Sequence, residues 1–240
     1  MNTAMIFQRY ELKYMLTAEQ KQKLLRLMRD KMQLDDYGRS SIRNIYYDTR
    51  DFRLVRRSIE KPVYKEKLRV RSYGSVGADG VVFVELKKKF ESVVYKRRIA
   101  ATETQARRWL AGLEAAPEDA QIAREIDYFR QFYRSLRPMV YLSYDREAYF
   151  SAIGEDLRLT LDENILWRDT ALSLTEEPGG RRVIPAGSTL MELKTGTAIP
   201  LWLARFLSEE RIAKISFSKY GEAYRQKITG DVLGEPARVA

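Results

Sequence analysis

Between Tyr64 and Arg98 the chain alternates charge and apolarity with a period of two, and this alternation constrains the fold more than any other feature. The run Tyr64-Lys65-Glu66-Lys67-Leu68-Arg69-Val70-Arg71-Ser72-Tyr73-Gly74 leads through a glycine-containing turn to Val81-Val82-Phe83-Val84-Glu85-Leu86-Lys87-Lys88-Lys89, and then to Val93-Val94-Tyr95-Lys96-Arg97-Arg98. Successive side chains on a strand point to opposite faces. Lys65, Lys67, Arg69 and Arg71 therefore share one face, with Leu68 and Val70 on the other. Glu85, Lys87 and Lys89 repeat the pattern against Val82, Val84 and Leu86, and Lys96 and Arg98 keep the spacing. Two readings fit three such strands. In one, an antiparallel sheet turns its charges to water. In the other, helices cover the apolar face and the charged face lines the inside of a closed barrel. Like charges side by side on a sheet destabilise one another, so the second reading requires an anion.

The composition narrows the chemistry. Lys and Arg number 43 against 33 Asp and Glu, a formal charge of +10 over 240 residues. Such a surplus favours anionic partners, whether nucleic acid, nucleotide, polyphosphate or a membrane surface. There is no histidine and no cysteine. Ser-His-Asp catalysis, histidine bases, histidine metal ligands and thiolate chemistry are thereby excluded. Any reaction rests on carboxylates, Lys, Arg, Tyr or a metal held by oxygen. No apolar run reaches the roughly 18 residues of a membrane span and the start is not a signal peptide, so the expected setting is cytoplasmic.

Along the chain, the patterns predict a strand over 7–15, a helix opened by Thr17 with Gln20 as a capping box and carrying apolar residues as far as Met32, and a strand over 41–47. A short helix over 51–60, helices over 103–113 and 119–136, and strands over 139–150, 157–162 and 165–174 follow. A small hairpin is expected around Gly179-Gly180, then a strand over 189–195, a helix over 201–210, a strand segment over 215–217 and a helix over 218–228. No linker or βαβ alternation is visible, and no Walker A or GxGxxG sequence follows a strand. The expectation is one domain over 1–230 with a flexible tail over 231–240.

The pattern Glu-x-Lys occurs on three separate predicted strands, as Glu11-Leu12-Lys13, Glu85-Leu86-Lys87 and Glu192-Leu193-Lys194. Each sets a carboxylate and an ammonium on one strand face. Such pairs suit a site where Mg²⁺ or Mn²⁺ is held by carboxylates while Lys and Arg bind phosphate oxygens. Arg146, Arg158 and Lys219 are further cationic positions, each of which could equally be a structural ion pair or a solvated charge.

Taken in order, Arg9-Tyr10-Glu11-Leu12-Lys13-Tyr14, Asn44-Ile45-Tyr46-Tyr47-Asp48-Thr49, Lys67 to Gly74, Val84-Glu85-Leu86-Lys87, Tyr144-Asp145-Arg146, Leu159-Thr160-Leu161-Asp162, Met191-Glu192-Leu193-Lys194 and Phe217-Ser218-Lys219-Tyr220 resemble the polyphosphate polymerase domain of the vacuolar transporter chaperone type, within the triphosphate tunnel metalloenzyme superfamily. The resemblance implies an α+β fold: a closed antiparallel eight-stranded β-barrel with helices packed outside and a basic tunnel within. It implies Arg69, Arg71, Arg146 and Lys219 as catalytic clamps on phosphate. Lys13, Lys67, Lys87, Lys96, Arg98 and Lys194 become phosphate-binding residues, with Arg97 competing for the role of Lys96. Glu192 becomes the main ligand of a divalent metal, Mn²⁺ or Mg²⁺, with Glu85 and Glu11 as helpers. The implied activity is polyphosphate synthesis from ATP. The alternatives are triphosphate or polyphosphate hydrolysis in the same tunnel, or non-catalytic binding of polyphosphate or nucleotide. Arg9 stands where triphosphatases and class IV cyclases of the superfamily carry a glutamate, which favours the polymerase branch. Nucleic acid is the less fitting partner, because Leu and Val rather than aromatic rings alternate with the cations.

Overall fold

The computed structural model describes residues 10–91, 93–196 and 198–233. Arg9, the first residues of the predicted opening strand and the tail beyond 233 lie outside them. In chain order, β1 is Tyr10–Leu16, α1 Ala18–Met28, β2 Met32–Asp48 and α2 Arg53–Ile59. Three strands follow, β3 (Tyr64–Tyr73), β4 (Val81–Phe90) and β5 (Val93–Thr102), then α3 (Glu103–Leu110) and α4 (Gln121–Phe132). The rest is β6 (Arg137–Ser151), β7 (Leu157–Arg168), β8 (Arg181–Arg182), β9 (Thr189–Thr195), α5 (Leu201–Glu209), β10 (Lys214–Ile215) and α6 (Lys219–Leu233).

The strands form an antiparallel sheet with helices, as expected. Among the described residues it has ten strands rather than eight, because β8 and β10 add two residues each. The pairing runs β10-β1-β9-β7-β6-β2-β3-β4-β5, with β8 on β7. It is a path ending at β10 and β5, not the closed ring of the expected barrel. The chain sorts into two compact units: Met1–Ser40, Asp145–Asn164 and Ile184–Phe217 make unit 1, and Ser41–Tyr144, Ile165–Val183 and Ser218–Ala240 make unit 2. No helix among the described residues is long and apolar enough to cross a membrane.

In unit 1, α1 starts at the predicted box: the Gln20 amide donates to Thr17 Oγ1 at 3.2 Å and the Thr17 amide to Gln20 Oε1 at 2.9 Å. β1 pairs with β9 and β9 with β7, so Tyr14, Leu159, Leu161, Met191 and Leu193 present one apolar surface. Leu24 and Met28 of α1 and Leu203, Phe206 and Leu207 of α5 cover it. Two expectations change. Met32 belongs to β2 rather than to the helix, and β2 begins nine residues before the predicted strand at Ser41. Asp35, Asp36 and Gly38 read locally as a loop, but ladder pairing overrides such propensities. Likewise β7 is a single strand running through Asn164, which adopts φ 48°, a conformation asparagine tolerates.

In unit 2, Leu68, Val70, Val82, Val84, Leu86 and Ile99 of β3–β5 pack under Trp109 and Leu110 of α3 and Ile126 and Phe129 of α4. Fully burying one such side chain stabilises the fold by about 1.5–3 kcal/mol. A second capping box, Thr102 with Gln105, opens α3, and Trp109 Nε1 donates to Asp127 at 2.8 Å. Gly180, at φ 116°, lets the chain turn back on β7: a Cβ there would lie 2.2 Å from the Trp167 carbonyl oxygen. In each unit, then, helices cover the apolar face of the sheet and leave the charged face opposite.

Candidate functional site

The charged face of unit 2 is organised by register. Residues directly opposite on successive strands form rows: Lys67-Lys87-Lys96, then Tyr46-Arg69-Glu85-Arg98, then Asn44-Arg71-Phe83. Three lysines in one row beside two arginines cost free energy unless negative charge accompanies them.

Within these rows the carboxylate is Glu85, its side chain only 1% exposed. Arg69 Nε donates to its Oε2 at 2.8 Å and Nη2 lies 2.7 Å from the same oxygen. Lys96 Nζ pairs with Oε1 at 2.9 Å, an ion pair without hydrogen-bond alignment, and Arg71 Nε is 4.0 Å from Oε2. Burial opposes the charge on Glu85, but Arg69, Arg71 and Lys96 outweigh it and pull the carboxyl down from 4.5 to about 2. Arg69 also donates to the Tyr46 hydroxyl at 3.0 Å. Burial raises the Tyr46 phenol, but Arg69, Lys67 and Arg71 more than offset it and bring the group to about 8. Arg71 is buried and donates to Asn44 Oδ1 at 2.9 Å and to the Tyr144 hydroxyl at 3.2 Å. Lys219 opens α6 with its Nζ 4.7 Å from the centre of the Tyr144 ring, and Lys67 donates to Ser218 Oγ at 3.1 Å. Arg98 lies over the Phe83 ring at 4.6 Å, whereas Arg97 pairs with Glu125 of α4 on the helix side. That separates Arg97 from the face holding Lys96.

The charged face of unit 1 is more evenly balanced. Lys13 is opposite Glu192 and Glu11 is opposite Lys194 across the β1–β9 ladder. Lys13 Nζ lies 3.3 Å from both Glu11 and Glu192 and donates to the Phe217 carbonyl at 3.1 Å. Arg146 makes a two-point contact with buried Asp162, at 2.6 and 2.7 Å, and its Nη2 is 3.5 Å from Glu192. Three carboxylates thus meet three cations, Lys13, Lys194 and Arg146. Thr160, opposite Glu192 on β7, has a buried hydroxyl without a hydrogen-bond partner among the described residues. No group of three or more His, Cys, Asp or Glu arranged to hold a metal occurs among the described residues. Mg²⁺ commonly takes only one or two protein carboxylates and completes its shell with phosphate and water. Glu192 and Glu11 fit that kind of site, with the Thr160 hydroxyl as an unfilled polar neighbour.

A profile of the VTC domain matches residues 8–228. The chain belongs to the VTC domain family. Solved structures agree on the fold: a proposed adenylate cyclase from Bacillus halodurans superposes with a TM-score of 0.53 at 15% identity, covering 88% of this chain and 95% of its own. A proposed adenylyl cyclase from Hippeastrum, described as having a dominant triphosphatase activity, does so with a TM-score of 0.50 at 18% identity, covering 88% and 92%. No curated protein matches the chain.

Set against the VTC expectations, Lys67, Arg69, Arg71, Glu85, Lys87, Lys96, Arg98 and Lys219 fall in unit 2, and Glu11, Lys13, Arg146, Glu192 and Lys194 in unit 1. Several supporting residues escaped sequence reasoning. Arg146 binds Asp162, not its chain neighbours Asp145 and Glu147, which pair with Arg39 at 3.1 and 3.4 Å. Arg158 is 3.8 Å from Asp35 rather than beside Asp162. Asn44, Tyr46 and Tyr144 carry no charge that marks them in the sequence. A signal was present in the alternation Asn44-x-Tyr46, which places both on the face of Arg69 and Arg71.

Proposed function

We propose that this VTC domain is a metal-dependent phosphoryl transferase that builds polyphosphate from ATP. The observation that carries the reading is the lysine row Lys67-Lys87-Lys96 beside Arg69 and Arg71, arranged around one carboxylate. A chain of phosphates carries the negative charge that complements such a row.

Phosphoryl transfer asks the protein mainly for in-line positioning and charge neutralisation. Arg69 and Arg71 are oriented before substrate arrives, by Glu85, Tyr46, Asn44 and Tyr144. Their remaining guanidinium donors and Lys219 clamp the β- and γ-phosphates. The lysine row, with Arg98, takes the rest of the polyanion. Arg146 is held for the same purpose by Asp162, and Lys13 and Lys194 add charge next to the carboxylates. Glu192 and Glu11 would hold a divalent ion, which would supply Lewis-acid polarisation of phosphate oxygens. Glu85, surrounded by three cations, serves to orient them. The acceptor is a terminal phosphate, already anionic at neutral pH, so a chain without histidine needs no protein base.

Incubation with ATP and Mn²⁺, reading polymer and orthophosphate separately, tests the proposal. Polymer made by the wild type and not by Arg71→Ala supports it. Orthophosphate without polymer replaces synthesis by hydrolysis, and turnover by Arg71→Ala equal to that of the wild type removes the site assignment.

A further inference from the structure

The carboxylate that organises unit 2 from behind the cations is Asp48, fully buried at the end of β2. Its Oδ1 accepts from the amides of Thr49 and Leu54, and its Oδ2 from Val55, so it caps the start of α2. Oδ2 also accepts from the Tyr220 hydroxyl at 2.9 Å. Tyr220 lies in the first turn of α6, next to Lys219 and two residues from Ser218. Its ring stacks on Tyr46 with 4.5 Å between centroids, and the Tyr46 hydroxyl accepts from Arg69. Ser218 receives Lys67, and Lys219 reaches Tyr144, the partner of Arg71. Every contact in this sequence is within unit 2.

A surface anchor for α6 would need no buried charge. A desolvated carboxylate is costly unless it is fully hydrogen-bonded. Burial does push the Asp48 carboxyl above its ordinary range, against the Leu54 amide, the Tyr220 hydroxyl and two further amides. The acceptor sites of Asp48 are divided between α2 and Tyr220, so one rigid group fixes the first turn of α6 against β2.

We propose that Asp48 is a positioning residue: through Tyr220 it sets the Lys219 ammonium and the Tyr46–Arg69 contact for a polyanionic substrate. This rests on the phosphate-binding reading above and assigns a role to residues that do not themselves touch the substrate.

The test is calorimetric titration of tripolyphosphate, without metal, into the wild type, Tyr220→Phe, Lys219→Ala, their double variant and Arg71→Ala. Tyr220→Phe keeps the stacked ring and removes only the bond to Asp48. It should weaken binding about tenfold, the order expected for a hydrogen bond to a charged group. Lys219→Ala should do the same, and the double variant should be little worse than either alone, because both changes remove one interaction. Asp48→Asn, which retains an acceptor for the α2 amides, should show the same coupling to Lys219→Ala. Losses that add independently, or a Tyr220→Phe that melts earlier yet binds as the wild type does, would overturn the inference while Arg71→Ala still loses binding. A wild type that does not bind tripolyphosphate removes the phosphate reading and this inference together.

Discussion

The Glu85 cluster of unit 2 and the Glu192 cluster of unit 1 are built alike and differ in charge balance. Each lies on the side of the sheet away from a helix-covered apolar face. Each centres on a buried glutamate in a Glu-x-Lys segment. Around Glu85 the partners are Arg69, Arg71 and Lys96, so cations outnumber the carboxylate. Around Glu192 stand Lys13 and Arg146, with Lys194 opposite Glu11, and Glu11 and Asp162 bring the carboxylates to three, so the charges match. Distances differ in the same sense: Arg69 and Lys96 meet Glu85 at 2.7 and 2.9 Å, whereas Lys13 and Arg146 stand 3.3 and 3.5 Å from Glu192. The same sequence motif thus stands among excess cations in one place and among matched charges in the other.

The largest expected effect breaks the cationic side. Arg71→Ala should lower phosphoryl-transfer turnover by about 10²–10³-fold, as loss of one preorganised electrostatic donor does elsewhere, measured as initial rate with ATP and Mn²⁺. Next, Glu192→Gln should raise the Mn²⁺ concentration giving half-maximal rate by at least about tenfold, whereas Glu85→Gln should leave that concentration unchanged.

The third prediction concerns the stability that Glu85 contributes. Glu85 has a folded pKa of about 2 against an ordinary 4.5. Its contribution is therefore fully present above pH 4.5 and is lost as pH falls through the folded value. Over that window the linked stability is about 3 kcal/mol. Denaturant melts between pH 5 and 2 should show the wild type losing stability steeply and Glu85→Gln starting lower and falling less. Glu163 of unit 1 is held to about 2 by Lys21, Arg39 and Thr189 against the opposing effect of burial, so Glu163→Gln should flatten the same window to a smaller degree. The smallest effect belongs to Thr160→Val. Removing a buried hydroxyl that has no partner among the described residues relieves its desolvation cost and should raise the melting free energy by about 1 kcal/mol, and an unchanged Mn²⁺ requirement in that variant would exclude the hydroxyl from the metal site.

What could be read from the chain follows from how local the signal is. The alternation in β3–β5 and in β9 is carried by adjacent residues, and the predicted span 189–195 coincides with β9. The capping box at Thr17 is likewise local. Arg146 and Asp162 are sixteen residues apart and meet because of strand pairing, so the nearer Asp145 and Glu147 were the natural sequence-level partners. Asp48 read only as the end of a strand, because its bond to Tyr220 spans 172 positions. Met32 kept the helical spacing of α1, yet ladder pairing took it into β2.

The contrast between the two clusters is tested most directly by crystals grown with tripolyphosphate and Mn²⁺, with anomalous scattering used to place manganese. The account predicts a manganese peak on Glu192 and Glu11, and phosphates on Arg69, Arg71 and the Lys67-Lys87-Lys96 row. Manganese on Glu85, or tripolyphosphate bound away from those cations, would contradict it.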